Sequence, residues 1–567
     1  MTVRWLTALA LFAIFLAPAS PRAQLESDGR IPPAIPESLV PPEQTPPSPD
    51  SPIVGLTAVL EHLDRILAAI DPDRTSGRVK LEGEMVPLRV AHDLGAARRH
   101  TQSALHAFLG TKLGLHRTAA GVESAVKSLQ TAPVRRGSRG DQVLQALSFR
   151  LAVVSRELGR NLIERARDGG VPRQIVSRGM QDLLIGDRLL VAGNHAAAAR
   201  RYGDSITVGN QLRFDLDRFH VNVLLAFENQ SVGYSYAIAV GGQLERFGAG
   251  GLGDEGFART SADPPETQQS PTKEMNIASI SKPITAVALL RLMEANGVGP
   301  DDSIAPYLPP SWTKGACIPE GQCSSDLTFR DLLTHRSGLD ANNNGPYDYA
   351  SLRTYVEQGV NPAFKTFVYQ NANFALLARV VLPMLLGLDP EDAADPAVSA
   401  SALYRFAVAS FLFQPIGVVA DCLPTDANRT FLYRFPYANT TGRDPGDWTP
   451  FCGSGGWYLS AVELLNFFAH VRYDDAILSP LARQAMDFGF LGWMNPVDYS
   501  FAAGTFGTYR GHGGDLGVDP TVDNGADTCA MNFPEDVQAV VLINSHGGAY
   551  PYQCAALKQA YEDAWIF

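Results

Sequence analysis

Between Ile31 and Pro52, nine of 22 residues are proline (IPPAIPESLVPPEQTPPSPDSP). So many rings remove the backbone donors that a helix or a sheet interior needs, and they favour extended polyproline conformations. The 567-residue chain is therefore divided before any core is considered, with residues 24–52 as a spacer and folded material beginning near residue 53. Ahead of the spacer, Arg4 precedes an apolar run of 13 residues, Trp5 to Ala17, followed by small residues and proline. This is the pattern of a secretory signal peptide over 1–23, cut after Ala19 or Ala23, with an uncleaved anchor as the alternative. The run is shorter than the roughly 20 residues of a membrane span, and no later stretch is expected to be long enough. The first cysteine is Cys317, so the lipoprotein route, which needs a cysteine at the processing site, is closed. We expect an exported chain, periplasmic or extracellular, with no membrane span in its mature form.

The six cysteines, Cys317, Cys323, Cys422, Cys452, Cys529 and Cys554, suit disulfides in that setting. Pairing of sequence neighbours, 317 with 323, 422 with 452 and 529 with 554, is one of 15 connectivities and the one we expect. Zinc is the weaker reading, because no CxxC or HExxH occurs, and neither a metal nor an organic cofactor is expected. Lys and Arg number 47 against 59 Asp and Glu, a net charge of −12, which lacks the basic footprint of a nucleic-acid binder. The expected partner is a small molecule or a peptide. Only eight of the basic residues are lysine, so any lysine that moves protons is one of very few.

Over 53–227 the segments LTAVLEHLDRILAAI, DQVLQALSFRLAVVSRELGRNLIERAR and MQDLLIGDRLLVAGNHAAAARRYGDSI place apolar residues three and four apart. They predict an all-α domain. The last segment, with Gly193-Asn194 between two Ala- and Leu-rich helices, resembles a tetratricopeptide-type hairpin. A single hairpin is no array, and a plain helical bundle is the simpler expectation, with room for a protein partner on it. Near Gln230 the texture changes. SVGYSYAIAVGGQLERFGAGG alternates around a Gly-Gly turn as a β-hairpin would. VQAVVLINS (Val537 to Ser545) reads as a last strand before a closing helix, so 228–567 is expected to be an α/β or α+β domain.

Within that domain, NIASISKPITAVALLRLMEANG carries Ser279-x-x-Lys282, a spacing that puts an amine beside a hydroxyl on one helical turn. Ser124-Lys127, Ser270-Lys273 and Ser311-Lys314 share the spacing. Ser279 alone follows an apolar, strand-like approach and opens a long helix, read as amphipathic and running from Pro283 to Asn296 before Gly297. Pro283 stands in tension with this, because proline disfavours helical geometry at the residue before it, here Lys282.

In the same order follow LTFRDLLTHRSGL (Leu327 to Leu339), FVYQNANFALLARV, GSGGWYLSAVELLNFF and RGHGGDLG. Together these segments resemble the serine β-lactamase and penicillin-binding-protein family, in the branch related to class C β-lactamases, esterases and D-aminopeptidases. The resemblance spans about Val232 to the C-terminus and implies an antiparallel sheet flanked by helices. It also implies Ser279 as nucleophile, Lys282 as its base or relay, and Tyr369 with Asn371 as a second element. A phenolate held near a cationic lysine is the expected form of Tyr369. Tyr437 and Asn439 are the competing match. Where many relatives carry Lys-Thr-Gly, this chain has His512-Gly513-Gly514, a change that lowers the case for antibiotic hydrolysis. His512 is expected to orient Tyr369 or a substrate carboxylate. Gly513 and Gly514 are expected to let the strand approach the acyl group, and the N–H groups of Ser279 and Asp515 to form the oxyanion hole. His335 is read as structural, His546 to Gly548 as a turn, Gly455-Gly456 as a turn near the site mouth and Trp457 as packing.

The implied activity is acyl-enzyme hydrolysis of an ester or amide. The alternatives are a β-lactamase or D-Ala-D-Ala carboxypeptidase, and a non-catalytic sensor or scaffold whose helical domain binds a partner.

Overall fold

The computed structural model describes residues 52–567 apart from 71, 74–77, 109–113, 254, 313–325, 340–345, 362–364, 425, 428, 518–523 and 551. The expected signal peptide, the linker up to residue 51 and the Cys317–Cys323 pair lie outside the described residues.

The N-terminal part packs helices α1 (Pro52–Ala69), α2 (Leu88–Phe108), α3 (Gly114–Thr131), α4 (Arg139–Asp168), α5 (Arg173–Val191) and α6 (His195–Ile206). In α4, Ser138 caps the N-terminus by accepting from the Asp141 N–H, and Leu144, Leu147, Leu151, Leu158 and Leu162 form the buried stripe. The α5–α6 hairpin closes through Gly193 at φ 75° and the Asn194 side chain, which accepts from the Ala197 N–H. A side chain at Gly186 would run into the Tyr202 ring, so glycine sets how closely the two helices approach.

The all-α expectation fails at residues 72–87. Strands β1 (Pro72–Asp73), β2 (Arg78–Leu81) and β3 (Glu84–Pro87) form a small antiparallel sheet. Its tight turn has Glu82 and Gly83 both left-handed, at φ 48° and 83°. Val79, Leu81 and Val86 are buried, so a period of two governs this stretch, where the longer helical segments governed the sequence reading.

Residues 213–227, at the end of the expected helical segment, pack on C-terminal elements. Strand β4 (Arg213–Phe214) pairs with β13 (Trp565–Ile566), and helix α7 (Leu216–Phe227) lies on α11 (Gln553–Glu562). From α4, Arg165 reaches the buried carboxylate of Glu562 and also Asp563 at 2.6 Å.

The C-terminal part is built on a five-stranded antiparallel sheet. Its strands are β5 (Gly233–Val240), β6 (Gln243–Gly251), β9 (Arg510–Leu516), β10 (Ala526–Asn532) and β11 (Val537–Ile543), in the order β9-β10-β11-β5-β6. The β5–β6 hairpin turns on Gly241 and Gly242, at φ 59° and 78°, as the sequence predicts. Strand β11 is buried throughout. Helix α10 (Ala461–Tyr473) covers one face, holding Gln538 through the Phe468 carbonyl, and α11 covers the other through the Cys529–Cys554 disulfide. A strand covered on both sides has no reason to alternate, which is why VQAVVLI reads as one apolar run.

Helix α8 (Ser281–Asn296) is not amphipathic. Every residue from Ser281 to Leu290 is buried, so it is a central helix packed on all sides. Gly297 ends it in the left-handed conformation at φ 69°. Pro283 is its third residue, where no intrahelical N–H bond is lost, and Lys282 is helical despite the proline that follows it.

Among the described residues, one helical stretch, Pro396–Ile416, is long and apolar enough to cross a membrane, with mean hydropathy 1.3. The sequence expectation missed it. Here Tyr404, Ala407 and Val408 are buried, and Arg405 pairs with Asp421.

Candidate active site

Strand β7 (Met275–Asn276) pairs with β8 (Tyr458–Leu459) and leads into a single 3-10 turn, Ala278–Ile280, ahead of α8. Asn276 Oδ1 accepts from the Ala278 N–H at 2.8 Å, and Ser281 Oγ donates to the Ala278 carbonyl at 2.8 Å. Between these ties Ala278 is left-handed at φ 51°, an uncommon state for a residue with a Cβ. The chain thereby presents Ser279 half-buried at the start of a buried helix.

Lys282 lies one turn on and is 0% exposed. Its Nζ is 2.9 Å from Ser279 Oγ, 2.7 Å from Asn371 Oδ1 and 2.6 Å from the Ser454 carbonyl. Asn371 begins α9 (Asn371–Leu376). Ser454 belongs to the tight turn Cys452–Gly456, which the Cys422–Cys452 disulfide anchors. Burial pushes the Lys282 amine well below its usual value. The Tyr369 ring centroid lies 4.9 Å from Lys282 Nζ. Burial raises the Tyr369 phenol strongly, and interaction with the Ser279 side chain offsets only part of this. The expected phenolate beside a cationic lysine is therefore corrected. Both groups are driven toward neutrality, because neither charge is solvated in this site.

His512 is buried on β9, with its ring centroid 6.3 Å from that of Tyr369. Its Nδ1 donates to the Gly513 carbonyl at 2.6 Å. Burial is the main cause that lowers it, to about 3, so the ring is neutral and offers no cation to a substrate carboxylate. The reason expected for the two glycines also changes. A Cβ on Gly514 would lie 2.8 Å from Ala278 Cβ, and one on Gly513 would collide with the Tyr552 hydroxyl. Both spaces are taken by protein neighbours, and Gly514 lets the edge strand pass directly behind the Ser279 turn. The Gly511 carbonyl on β9 accepts from the Met494 N–H, off the sheet. By strand alternation the backbone N–H of Asp515 points to the same free edge.

The Asp515 side chain turns to His546, whose Nε2 is 3.3 Å from Asp515 Oδ1, 3.4 Å from Asp527 Oδ1 and 3.1 Å from the Ala526 carbonyl. His546 is not in a turn. It lies buried in the short strand β12 (Ser545–His546), paired with Tyr433–Arg434, and the turn begins at Gly547. Burial alone would lower His546, but the two carboxylates outweigh it and raise it to about 9. Desolvation lifts Asp527 to about 6, so the shared proton sits on the imidazole. Among the described residues this is the one cluster offering three side-chain ligand atoms within 4.8 Å, and an ion pair accounts for it.

Of the competing matches, Lys314 lies outside the described residues and the others have partners of their own. Lys127 pairs with Glu123, Lys273 with Asp426, and Tyr437 donates to Thr260. Trp457 is fully buried and donates to Tyr404. Sequence reasoning missed the Ser454 carbonyl, whose only signal was the Gly-rich GSGG, and the Asn276 brace, which had none. His335 was placed in the scaffold, yet its ring lies 4.4 Å from that of Tyr369.

A family model described as Beta-lactamase matches residues 210–559. The putative penicillin-binding protein PbpX of Bacillus subtilis (strain 168) is 24% identical over 207 residues, 35% of this chain. The match spans about half, 46%, of that relative's length. Among solved structures, a penicillin-binding protein homologue from Pyrococcus abyssi is 19% identical, with TM-score 0.43 over 61% of this chain and 76% of that one. A β-lactamase/D-alanine carboxypeptidase from Yersinia pestis is 15% identical, with TM-score 0.42 over 62% and 97%. With the family model covering more than half of its length, the chain belongs to the β-lactamase family.

Proposed function

We propose that the chain is an exported serine hydrolase that forms an acyl-enzyme on Ser279 with an uncharged ester or amide. The observation that carries this reading is the bonding around Lys282. Asn371 Oδ1 and the Ser454 carbonyl can only accept, so they take two N–H bonds from the amine. In the neutral amine that burial favours, the third position is a lone pair, and it faces the Ser279 hydroxyl at 2.9 Å. Lys282 is then the base without a change in net charge beforehand.

Ser279 Oγ attacks the carbonyl carbon while its proton passes to Lys282 Nζ. The oxyanion takes hydrogen bonds from the N–H groups of Ser279 and Asp515. Collapse breaks the bond to the leaving group, which collects the proton through the Lys282–Tyr369 pair. Water then attacks the acyl carbon by the same route in reverse and frees the acid and Ser279. Neutral His512 favours an uncharged leaving side over that of a β-lactam or D-Ala-D-Ala terminus, whose carboxylate would find no cation in its ring. Export rests on the N-terminal pattern and agrees with the Cys422–Cys452 and Cys529–Cys554 disulfides. We propose the helical part as a separate domain preceding the hydrolase domain.

Treatment with a fluorophosphonate, followed by peptide mapping beside Ser279→Ala, tests the reading. One adduct on Ser279, absent from the variant, supports it, and a folded protein that takes none refutes it.

A further inference from the structure

His335 occupies a position that the chain holds at a cost. It is the first residue past the helix Phe329–Leu333 and its cap Thr334, and it is left-handed at φ 56°. Its N–H bonds to the Leu332 carbonyl at 3.2 Å and the Arg336 N–H to the Asp331 carbonyl at 2.7 Å, the Schellman pattern. Glycine is the unstrained choice there, and a residue with a Cβ gives up about 1 kcal/mol. Something other than the turn therefore accounts for the imidazole.

The hydrogen bonds define its tautomer. Ser337 Oγ donates to Asn373 Oδ1 at 2.8 Å, which leaves the Asn373 amide to donate to His335 Nδ1 at 3.3 Å. The Gln370 backbone N–H donates to the same nitrogen at 3.2 Å. With Nδ1 accepting twice, the proton of the neutral ring is on Nε2. That Nε2 is buried without a hydrogen-bond partner, and so is the Tyr499 hydroxyl. The two residues are 7% and 3% exposed, and both line one small cavity of about 10 Å³, bounded also by Phe367, Trp493, Asn495 and His512. A cavity of about that size holds one water. Two orphaned polar groups on its wall supply a donor and a hydroxyl that bonds in either sense.

We propose that this cavity binds one fixed water bridging His335 Nε2 and the Tyr499 hydroxyl, and that His335, so anchored, is a positioning residue for Tyr369. The anchored ring backs the Tyr369 ring, while the backbone N–H of the next residue, Gln370, is tied to the same imidazole. The phenol is thus held at Ser279 from behind. The positioning role rests on the hydrolase reading above; the water and the tautomer do not.

The test is a high-resolution crystal structure of the full chain with nitrogen NMR of the imidazoles, beside the variant Tyr499→Phe. This variant keeps the aromatic packing on Phe367 and Phe501 and removes only the hydroxyl. The expected result is one water within hydrogen-bonding distance of both groups and a His335 ring protonated on Nε2. In Tyr499→Phe we expect loss of the water and a fall of about tenfold in kcat for an activated ester, with KM and Tm little changed. An empty cavity, or an Nδ1-protonated ring, overturns the water site. A kcat within twofold of the parent, or a kcat loss matched by a fall in Tm, overturns the positioning role. If the parent protein takes no fluorophosphonate on Ser279, the hydrolase reading fails and the positioning role with it, while the water and tautomer are still read directly.

Discussion

Asn371→Asp changes one atom of the site and reverses its electrostatics. In the parent, Asn371 Oδ1 accepts from Lys282 Nζ at 2.7 Å without carrying charge. A carboxylate there attracts an ammonium by 332/(20 × 2.7), about 6 kcal/mol at an effective dielectric constant of 20. If desolvation of the new carboxylate consumes half, about 3 kcal/mol remains, and at 1.36 kcal/mol per unit this raises the lysine by about two pK units. The lone pair that faces Ser279 is then occupied by a proton over about two further pH units, and the neutral fraction falls by up to about 100-fold, most below the parent amine's own midpoint and least well above it. The assay is the second-order rate of fluorophosphonate labelling of Ser279 from pH 5 to 10. We expect labelling slower by up to about 100-fold toward the acid end of this range, recovering as pH rises, with the rising limb of the profile displaced upward by about two units. A variant with the parent's rate and profile refutes the neutral-amine base. An equal loss at every pH refutes it too, because it reports misplacement and not titration.

Gly514→Ala drives a methyl group to 2.8 Å from both Ala278 Cβ and the Ile277 carbonyl, so thermal unfolding is expected to show a loss of about 1–3 kcal/mol along with weaker labelling of Ser279. Replacing Cys422 and Cys452 by serine opens a 30-residue loop worth about 3.6 kcal/mol of chain entropy. It also frees the turn that carries the Ser454 carbonyl, so urea unfolding and labelling should both suffer, and unchanged labelling would detach that turn from Lys282. His546 is raised from 6.5 to about 9 by its carboxylates, so its stabilisation is fully present below 6.5 and is lost as pH rises through about 9. Unfolding free energy should drop by up to about 3 kcal/mol between pH 7 and 10 in the parent, and His546→Gln should flatten that drop.

Local signals in the sequence were enough for what depends on local chemistry. The Gly241-Gly242 turn, the Gly297 stop, the α5–α6 hairpin and the buried run of β11 each express a rule about a few neighbouring residues. The Ser279–Lys282 spacing belongs with them in part: one turn puts hydroxyl and amine within reach, but Lys127 and Lys273, equally spaced from a serine, turn to carboxylates. Two disulfides follow the expected neighbour pairing because their loops are short. Protonation states were not legible. Lys282 and Tyr369 look like a charged pair on paper, and only the packing that buries them drives both toward neutrality. The glycines of β9 looked made for a substrate until Ala278 and Tyr552 occupied their space. Asn371, Ser454 and His335 meet the site from segments separated by up to 172 residues, and distances across such gaps are set by how sheet and helices pack. Sequence determined which groups this chain can offer for chemistry; tertiary structure decided their charge and their neighbours, because desolvation and long-range contact exist only once the chain has closed around them.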